Sequence, residues 1–239
     1  MLVKFVLLKR RIGLSHDQFS RYWRDKHPHA LLAAGHDKYN RAYLQNHRFD
    51  VPGLHSVDDL DGIPQMLQFD GSDTPRLIQD DPLYETIVVP DEEVFIDRAS
   101  ACILLAKMTT GAVPLPASTI KLLFLLKGDS TGERRKLSEH LGRVRRELSR
   151  QPSCLYSNQL SLREHKVFAD SSRSLKDDGN PTINNCYGIA EIFFPDELAL
   201  TAAVADPAFT RLMSDVYEAN GMLPNVLAVR EKLIYGRRW

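Results

Sequence analysis

This sequence has few cysteines, no long apolar runs and no formal net charge. Its 239 residues include 31 Lys and Arg against 31 Asp and Glu, so no global field attracts a polyanion such as nucleic acid. No apolar stretch approaches the roughly 18 residues that a membrane span needs, and the N-terminal apolar run is too short for a secretory signal. We therefore expect no nucleic-acid partner and no membrane partner.

The cysteines are few and far apart, at Cys102, Cys154 and Cys186. An odd, widely spaced set is not typical of a disulfide framework, and it has no metal-ligand spacing. These features favour a reducing compartment, so we predict a cytoplasmic protein with no metal site. Hydrophobic residues make up 43% and charged residues 26% of the chain, which predicts that most of it folds.

An internal duplication is the main sign of organisation. Ordered matches at nearly constant spacing are typical of two copies of one unit. We therefore predict two repeats, residues 1–112 and 117–239. The matches are Leu7-Leu8-Lys9 with Leu125-Leu126-Lys127, His47 with His165, Gly62-Ile63 with Gly188-Ile189, and Asp81-Pro82 with Asp206-Pro207.

Each repeat is predicted to contain a strand, a helix, two strands, a helix and a strand. In the first repeat, residues 2–9 form an apolar run of strand length, and Ser15 with Gln18 makes a capping box that starts a helix. Pro28 cannot donate a backbone hydrogen bond, so the helix should end near His27. A four-stranded antiparallel sheet with helices on one face leaves its other face bare. We expect the sheet of the other repeat to cover it.

Motifs in the first repeat resemble a known family. They are Phe19-x-x-Tyr22-Trp23-x-x-x-His27-Pro28, then Tyr43-Leu44-Gln45-Asn46-His47, then Pro82-Leu83-Tyr84 with Pro90-Asp91-Glu92. In this order they resemble the EthD domain of the dimeric α+β barrel superfamily. The resemblance implies an α+β fold in which two tandem ferredoxin-like βαββαβ repeats pack their antiparallel sheets face to face, as an intramolecular dimeric α+β barrel. Such a fused pair is expected to be a monomer or a homodimer.

The resemblance also implies where an active site should lie and what it does. Members of such families catalyse cyclisation, dehydration, decarboxylation or isomerisation without a cofactor, whereas others only bind ligands or use haem. No axial haem ligand is identifiable here, and we predict no cofactor. The second repeat has Leu141 and Arg145 at the places of Trp23 and His27, so the site is expected in the first repeat.

A pocket between the first helix and the sheet is the hypothesis for the site. Trp23 and His27 are four residues apart and share one helix face, while Tyr43 and His47 share one strand face. We expect His27, Tyr43 and His47 to converge as the catalytic residues, because imidazole and phenol groups suit proton transfer around a stabilised carbanion. The residues predicted to contact substrate are Trp23, Phe19, Gln45 and Asn46.

These residues lead to a predicted function with open alternatives. The prediction is a cofactor-independent lyase, a decarboxylase or dehydratase, acting on an aromatic or polyketide-like acid. An isomerase or cyclase could use the same pocket, and a non-catalytic binding or accessory protein would use His27 only as a structural residue. His47 recurs at His165, which favours a structural role for it. Asp91-Glu92-Glu93 is interpreted as an exposed acidic turn, although a carboxylate at the pocket mouth is conceivable.

Overall fold

Two successive repeats build the protein. The computed structural model describes residues 2–54, 60–68, 81–108, 120–127, 162–167, 173–174, 186–220 and 225–236. The first repeat contains β1 (Leu2–Leu7), α1 (His16–Asp25), α2 (His27–Ala33), β2 (Asn40–Arg48), β3 (Gly62–Gln68), α3 (Val89–Phe95) and β4 (Cys102–Met108). The described part of the second contains β5 (Ile120–Lys127), β6 (Leu162–Val167), β7 (Arg173–Ser174), β8 (Cys186–Phe194), α4 (Glu197–Ala205), α5 (Pro207–Asn220) and β9 (Asn225–Gly236).

The predicted α+β class with two tandem repeats is confirmed. The expected linker between the repeats, residues 113–116, lies outside the described residues. None of the helices that the structure describes has both the length and the apolar character needed to cross a bilayer.

The start of α1 follows the predicted capping box, but its end differs from the prediction. Gln18 N donates to Ser15 Oγ at 3.2 Å, and Ser15 N donates to Gln18 Oε1 at 2.8 Å. The helix ends at Asp25, and His27 begins a separate helix, α2, with Pro28 in its first turn. A proline costs little there because the first backbone N–H groups of a helix have no partner within it. Pro28 therefore starts a helix rather than ending one.

The strands form one antiparallel sheet that closes into a barrel. Their order is β1-β3-β2-β9-β5-β8-β6-β4, and β4 pairs back onto β1, while the short β7 adds to β4. Among the described strands, three pairings cross between the repeats: β2 with β9, β4 with β6, and β4 with the short β7. The last strand of each repeat thus borders the sheet of the other, which confirms the predicted intramolecular barrel.

The strand register supports the duplication in detail. Leu8 lies opposite Gly62 in the first repeat, and Leu126 lies opposite Gly188 in the second. These are the positions that the sequence matches made equivalent. The two repeats therefore share their strand pairing, whereas the helix predicted after the first strand of the second repeat lies outside the described residues.

One of the proposed equivalences is wrong, however. Ile189 lies opposite His165 in the second repeat, whereas its counterpart Ile63 lies opposite Asn46 in the first. His165 therefore corresponds to Asn46 rather than to His47. His47 therefore does not recur as His165, and this removes the reason for expecting a structural role shared by both repeats.

The apolar core has three parts: the barrel interior, and one layer between sheet and helices in each repeat. In the first repeat that layer contains Phe19 and Trp23, both fully buried. The Trp23 ring packs against Gly62, where an added Cβ would come within 2.3 Å of the ring. A glycine is needed at that position because any side chain would displace the indole.

A buried ion cluster lies inside the barrel. Lys121 Nζ donates to Glu191 Oε1 at 2.6 Å, to Glu231 Oε2 at 2.5 Å and to Gln65 Oε1 at 3.1 Å. The side chains of Lys121 and Glu191 have no exposed surface, so each charge depends on its partners. The cation and both carboxylates come from the second repeat and Gln65 comes from the first, so the cluster joins the two repeats. The sequence analysis did not identify it.

Removing the cation of this cluster should destabilise the whole barrel. We predict that Lys121→Ala lowers the free energy of unfolding by about 3–5 kcal/mol, because Glu191 and Glu231 lose their counter-ion in a buried site. Urea denaturation measures the change. The exposed Lys232→Ala variant is the control and should stay within about 0.5 kcal/mol of the parent. Equal stabilities of the two variants would contradict the structural role of the cluster.

Candidate functional site

A small cavity lies between the helices and the sheet of the first repeat. Strands β1, β2 and β3 line it on one side, and α2, α3 and the π-helical turn Tyr84–Val88 line it on the other. Its volume is about 30 Å³. Polar side chains are concentrated around it: Lys4, His27, His36, Tyr43, Tyr84 and Glu92. So many buried titratable groups at one place indicate a functional site.

His27 and Asp91 form a close polar pair beside the cavity. His27 begins α2 and Asp91 lies in the first turn of α3. His27 Nδ1 lies 2.6 Å from Asp91 Oδ2, and the Tyr22 hydroxyl donates to Asp91 Oδ1 at 2.8 Å. Burial, with Asp91 as a second cause, raises the pKa of Tyr22 to about 12. Because Asp91 orients the ring through Nδ1, Nε2 is left to exchange a proton.

Glu92 is a second carboxylate at the cavity. The Tyr84 hydroxyl donates to its two oxygens at 2.9 and 2.8 Å, and Arg98 Nε donates to Oε2 at 3.0 Å. Burial raises the pKa of Glu92, while the charges of His27 and Arg98 act in the opposite direction. A carboxyl group whose pKa is raised is better able to hold a proton, so Glu92 is suited to proton exchange.

Lys4 and His36 add a cation and a neutral imidazole. Lys4 is fully buried in the middle of β1. His36 Nδ1 is hydrogen-bonded to the Tyr235 hydroxyl, and Asn40 Nδ2 donates to His36 Nε2 at 3.2 Å. Burial lowers the pKa of His36 well below its ordinary value, and the charges of Lys4 and His27 lower it further. His36 is therefore neutral at physiological pH, with both ring nitrogens in use.

Tyr43 is held by donors from two neighbours. Its hydroxyl oxygen accepts from Trp23 Nε1 at 2.9 Å and from Gln45 Nε2 at 3.4 Å. Burial raises the pKa of Tyr43, so the phenol keeps its proton at physiological pH. The predicted meeting of His27 and Tyr43 is found in the structure, because both line the same cavity.

His47 does not line the cavity with His27 and Tyr43, so the predicted convergence of the three residues is wrong for His47. The residue shares a strand face with Tyr43, but four residues of strand separate the two by roughly 13 Å. Ser20 Oγ lies 2.7 Å from His47 Nδ1, and His47 Nε2 lies 3.0 Å from Gln45 Oε1. Burial lowers the pKa of His47 to about 3. His47 is thus neutral, and its hydrogen bonds connect α1 with β2.

The residues predicted to contact substrate lie outside the cavity lining as well. Phe19 and Trp23 stack at 5.5 Å between ring centroids within the core, and Gln45 Nε2 donates to the Trp23 carbonyl at 2.7 Å. Asn46 points to the barrel interior, where its Nδ2 donates to the Ile63 carbonyl at 2.8 Å. Trp23 and Gln45 reach the site indirectly, through their hydrogen bonds to Tyr43.

Sequence reasoning missed most of the polar lining. Lys4 gives a visible signal, because it is a lone cation inside an apolar strand. Asp91 and Glu92 belong to the acidic run that was interpreted as an exposed turn, and the structure overturns this interpretation for both. No group of His, Cys, Asp and Glu side chains in the described ranges is arranged to hold a metal ion.

Comparisons with known proteins agree with this fold. The sequence model of the EthD domain matches residues 11–99 and 134–219. An anthrone oxidase-like protein of known structure has a TM-score of 0.60 at 10% identity, with 100% of this chain and 96% of that chain covered. A heme-binding protein from Thermus thermophilus has a TM-score of 0.43 at 11% identity, covering 96% and 90%. At such identities the first likeness shows the fold alone. No curated protein matches the chain.

His47 should make the protein less stable in acid. Because its native pKa of about 3 is below the ordinary 6.5, the unfolded chain takes up the proton first, and stability falls as the pH drops through that interval. The slope approaches about 1.4 kcal/mol per pH unit. His47→Leu should be less stable than the parent at pH 8, since Ser20 and Gln45 lose a partner. The difference should shrink towards pH 4.

Urea denaturation at a series of pH values measures this effect. The exposed His29→Gln variant serves as the control and should follow the parent at every pH. A difference between His47→Leu and the parent that stays constant from pH 8 to pH 4 would contradict the buried, neutral state of His47.

Proposed function

This chain belongs to the EthD domain family, as its sequence motifs predicted, and we propose that it is a cofactor-independent lyase whose active site is the cavity of the first repeat. The observation that carries the proposal is the 2.6 Å contact between His27 and Asp91 at a cavity that also contains a buried lysine and a second carboxyl group. The reaction is decarboxylation or dehydration of a small-molecule acid.

His27 is the proposed acid and base. Asp91 fixes its ring through Nδ1, so that Nε2 takes a proton from a carbon acid or returns one to it. Tyr22 holds the other oxygen of Asp91, which keeps the carboxylate from rotating. General acid–base catalysis of this kind typically contributes about 100-fold to 10,000-fold in rate.

Three further groups have proposed roles. Lys4 offers a buried cation to the carboxylate of the acid or to the oxyanion that forms as the carbanion is stabilised. Glu92, whose pKa burial raises, is assigned to proton exchange with a leaving hydroxyl or with the carbanion. Tyr43 keeps its proton and is held at the cavity by Trp23, which suits it to donate to an oxygen of the substrate.

The size of the cavity restricts how substrate binds. A volume of about 30 Å³ is the space that about one water molecule occupies in the liquid, whereas ligand pockets usually have ~300–1,000 Å³. An aromatic or polyketide-like acid therefore requires α2 and α3 to move away from the sheet. We propose that only the reacting end of the acid occupies the space between His27 and Lys4.

Other reactions would begin with the same proton transfer. An isomerase or cyclase would return the proton at another carbon, and one structural relative is described as anthrone oxidase-like. The assay is therefore run with and without oxygen, and the mass of the product names the reaction. Loss of carbon dioxide or water identifies the lyase.

Variants at the His27–Asp91 pair test the proposal. The purified protein is incubated with a panel of aromatic and polyketide-like carboxylic acids, and products are resolved by mass. We expect His27→Gln to reduce kcat/KM by about 100-fold or more, because the acid–base group is lost. Asp91→Asn should reduce it by at least about tenfold, because the ring loses its orientation. The exposed Asp25→Asn variant should retain full activity.

Thermal melting shows whether the variants remain folded. A folded His27→Gln variant with parental turnover would overturn the assignment of His27. Saturable binding of a panel acid without turnover by the parent would identify a ligand-binding or accessory protein instead.

A further inference from the structure

A second, larger groove lies at the seam between the two repeats. Side chains from α1, from the end of β2 and from β9 line it, so both repeats contribute. Its volume is about 1110 Å³, which is ample for a small ligand. None of the residues that the proposed reaction uses lies in this groove. The inference is therefore independent of the proposed function.

Most ionic side chains around the groove already have a partner of opposite charge. Such pairs largely cancel one another's fields and offer little attraction to a ligand. The pairs are Arg10–Asp61, Arg24–Asp25, Arg48–Asp50, Arg230–Glu197 and Lys121–Glu231.

A surplus of cations remains after this pairing. Arg21 on α1 donates from Nε to the Asp17 carbonyl at 3.3 Å, and its terminal nitrogens make no hydrogen bond to the described residues. Lys232 on β9 is exposed and makes no ion pair within the described part of the chain. The carboxylate of Asp17 is the lining acid that no described cation pairs with. Arg21 and Lys232 thus present unused donors from the two sides of the groove.

His16 adds a third positive charge. Its Nδ1 lies 3.0 Å from Asp61 Oδ1, and its Nε2 lies 2.9 Å from the Arg48 carbonyl. Both partners are acceptors, so both ring nitrogens must donate and the imidazole is protonated. The hydrogen bond to Asp61 raises the pKa of His16 accordingly. Asp61 carries one negative charge and therefore balances only one of the two cations Arg10 and His16. The other positive charge is not balanced by Asp61 and faces the groove.

His47 in the groove wall is influenced by this surplus. After burial, the charges of Arg24, Lys232 and His16 are the causes that lower its pKa. Cations from α1 and from β9 thus both lower the pKa of the His47 imidazole. The groove combines room for a small molecule with the unused donors of Arg21 on α1 and Lys232 on β9.

We propose that this groove binds a small polyanion, a molecule with two or more phosphate or carboxylate groups, through Arg21 of the first repeat and Lys232 of the second. A molecule with two or more anionic groups offers a charged acceptor to each of the two side chains. The barrel is closed by the β2–β9 pairing beside this groove, so the ligand would span a junction between the repeats.

Titration calorimetry of the full-length protein at low ionic strength tests the site. Pyrophosphate and citrate are the probes, and their comparison distinguishes phosphate from carboxylate recognition. We expect saturable binding of at least one probe, weakened by about tenfold or more in the double variant Arg21→Ala/Lys232→Ala, because two charge-assisted donors are lost. Arg211→Ala removes an exposed arginine of α5 that does not line the groove, and should bind as the parent does.

The outcomes that overturn the proposal are equally specific. They are no saturable binding of either probe, parental affinity in the double variant, or equal weakening in Arg211→Ala. A single-stranded oligonucleotide is titrated in parallel, and binding of the oligonucleotide without binding of either probe would replace the small-molecule site by a nucleic-acid surface. Both substituted side chains are exposed, so unchanged melting temperatures confirm that the variants are folded.

Discussion

The pairing of each repeat's last strand with the other repeat is the constraint on which the rest of the structure depends. β4 pairs with β1 of its own repeat and with β6 of the other, and β9 pairs with β5 of its own repeat and with β2 of the other. Neither sheet has a free edge at these places, so the apolar face of each is covered by closing the barrel. Lys121 and its partners stand in the interior of this closed structure, where a charge without partners would cost several kcal/mol.

Closure of the barrel also determines where chemistry can occur. The interior is filled by apolar side chains and the ion cluster, so a ligand has to use the outer faces of the sheet. In the first repeat, α2 and α3 bring His27, Asp91 and Glu92 against β1 and β2. Backbone positions that are distant in sequence therefore meet at the sheet, which brings the polar groups of helices and strands to one place.

Local rules explain what could be predicted from the sequence. Strand length, the capping box and the ordered repeats depend on neighbouring residues, and they led to the correct fold. His27 and Tyr43 line one cavity as expected, but the shared helix face behind that expectation is wrong, because His27 begins α2 instead of continuing α1. Asp91 and Glu92 could not be placed in the same way, because an acidic run has no periodicity that shows which carboxylates turn inwards. The prediction for His47 failed because residues that share a strand face still lie about 3.3 Å apart for each step along the strand, which separates His47 from Tyr43 by roughly 13 Å.

Fusion of the repeats changes how such a barrel can evolve. When two identical chains form a barrel, each substitution appears twice, so both sites keep or lose a residue together. The sequence matches predict Leu141 and Arg145, which lie outside the described residues, at the places of Trp23 and His27, while the strand pairing is retained in both halves. A covalent partner is always present at high effective concentration. In a fused pair, one repeat can lose its own site and still support the other repeat. Two repeats that both lack a site never pair with each other, because each is covalently joined to its partner.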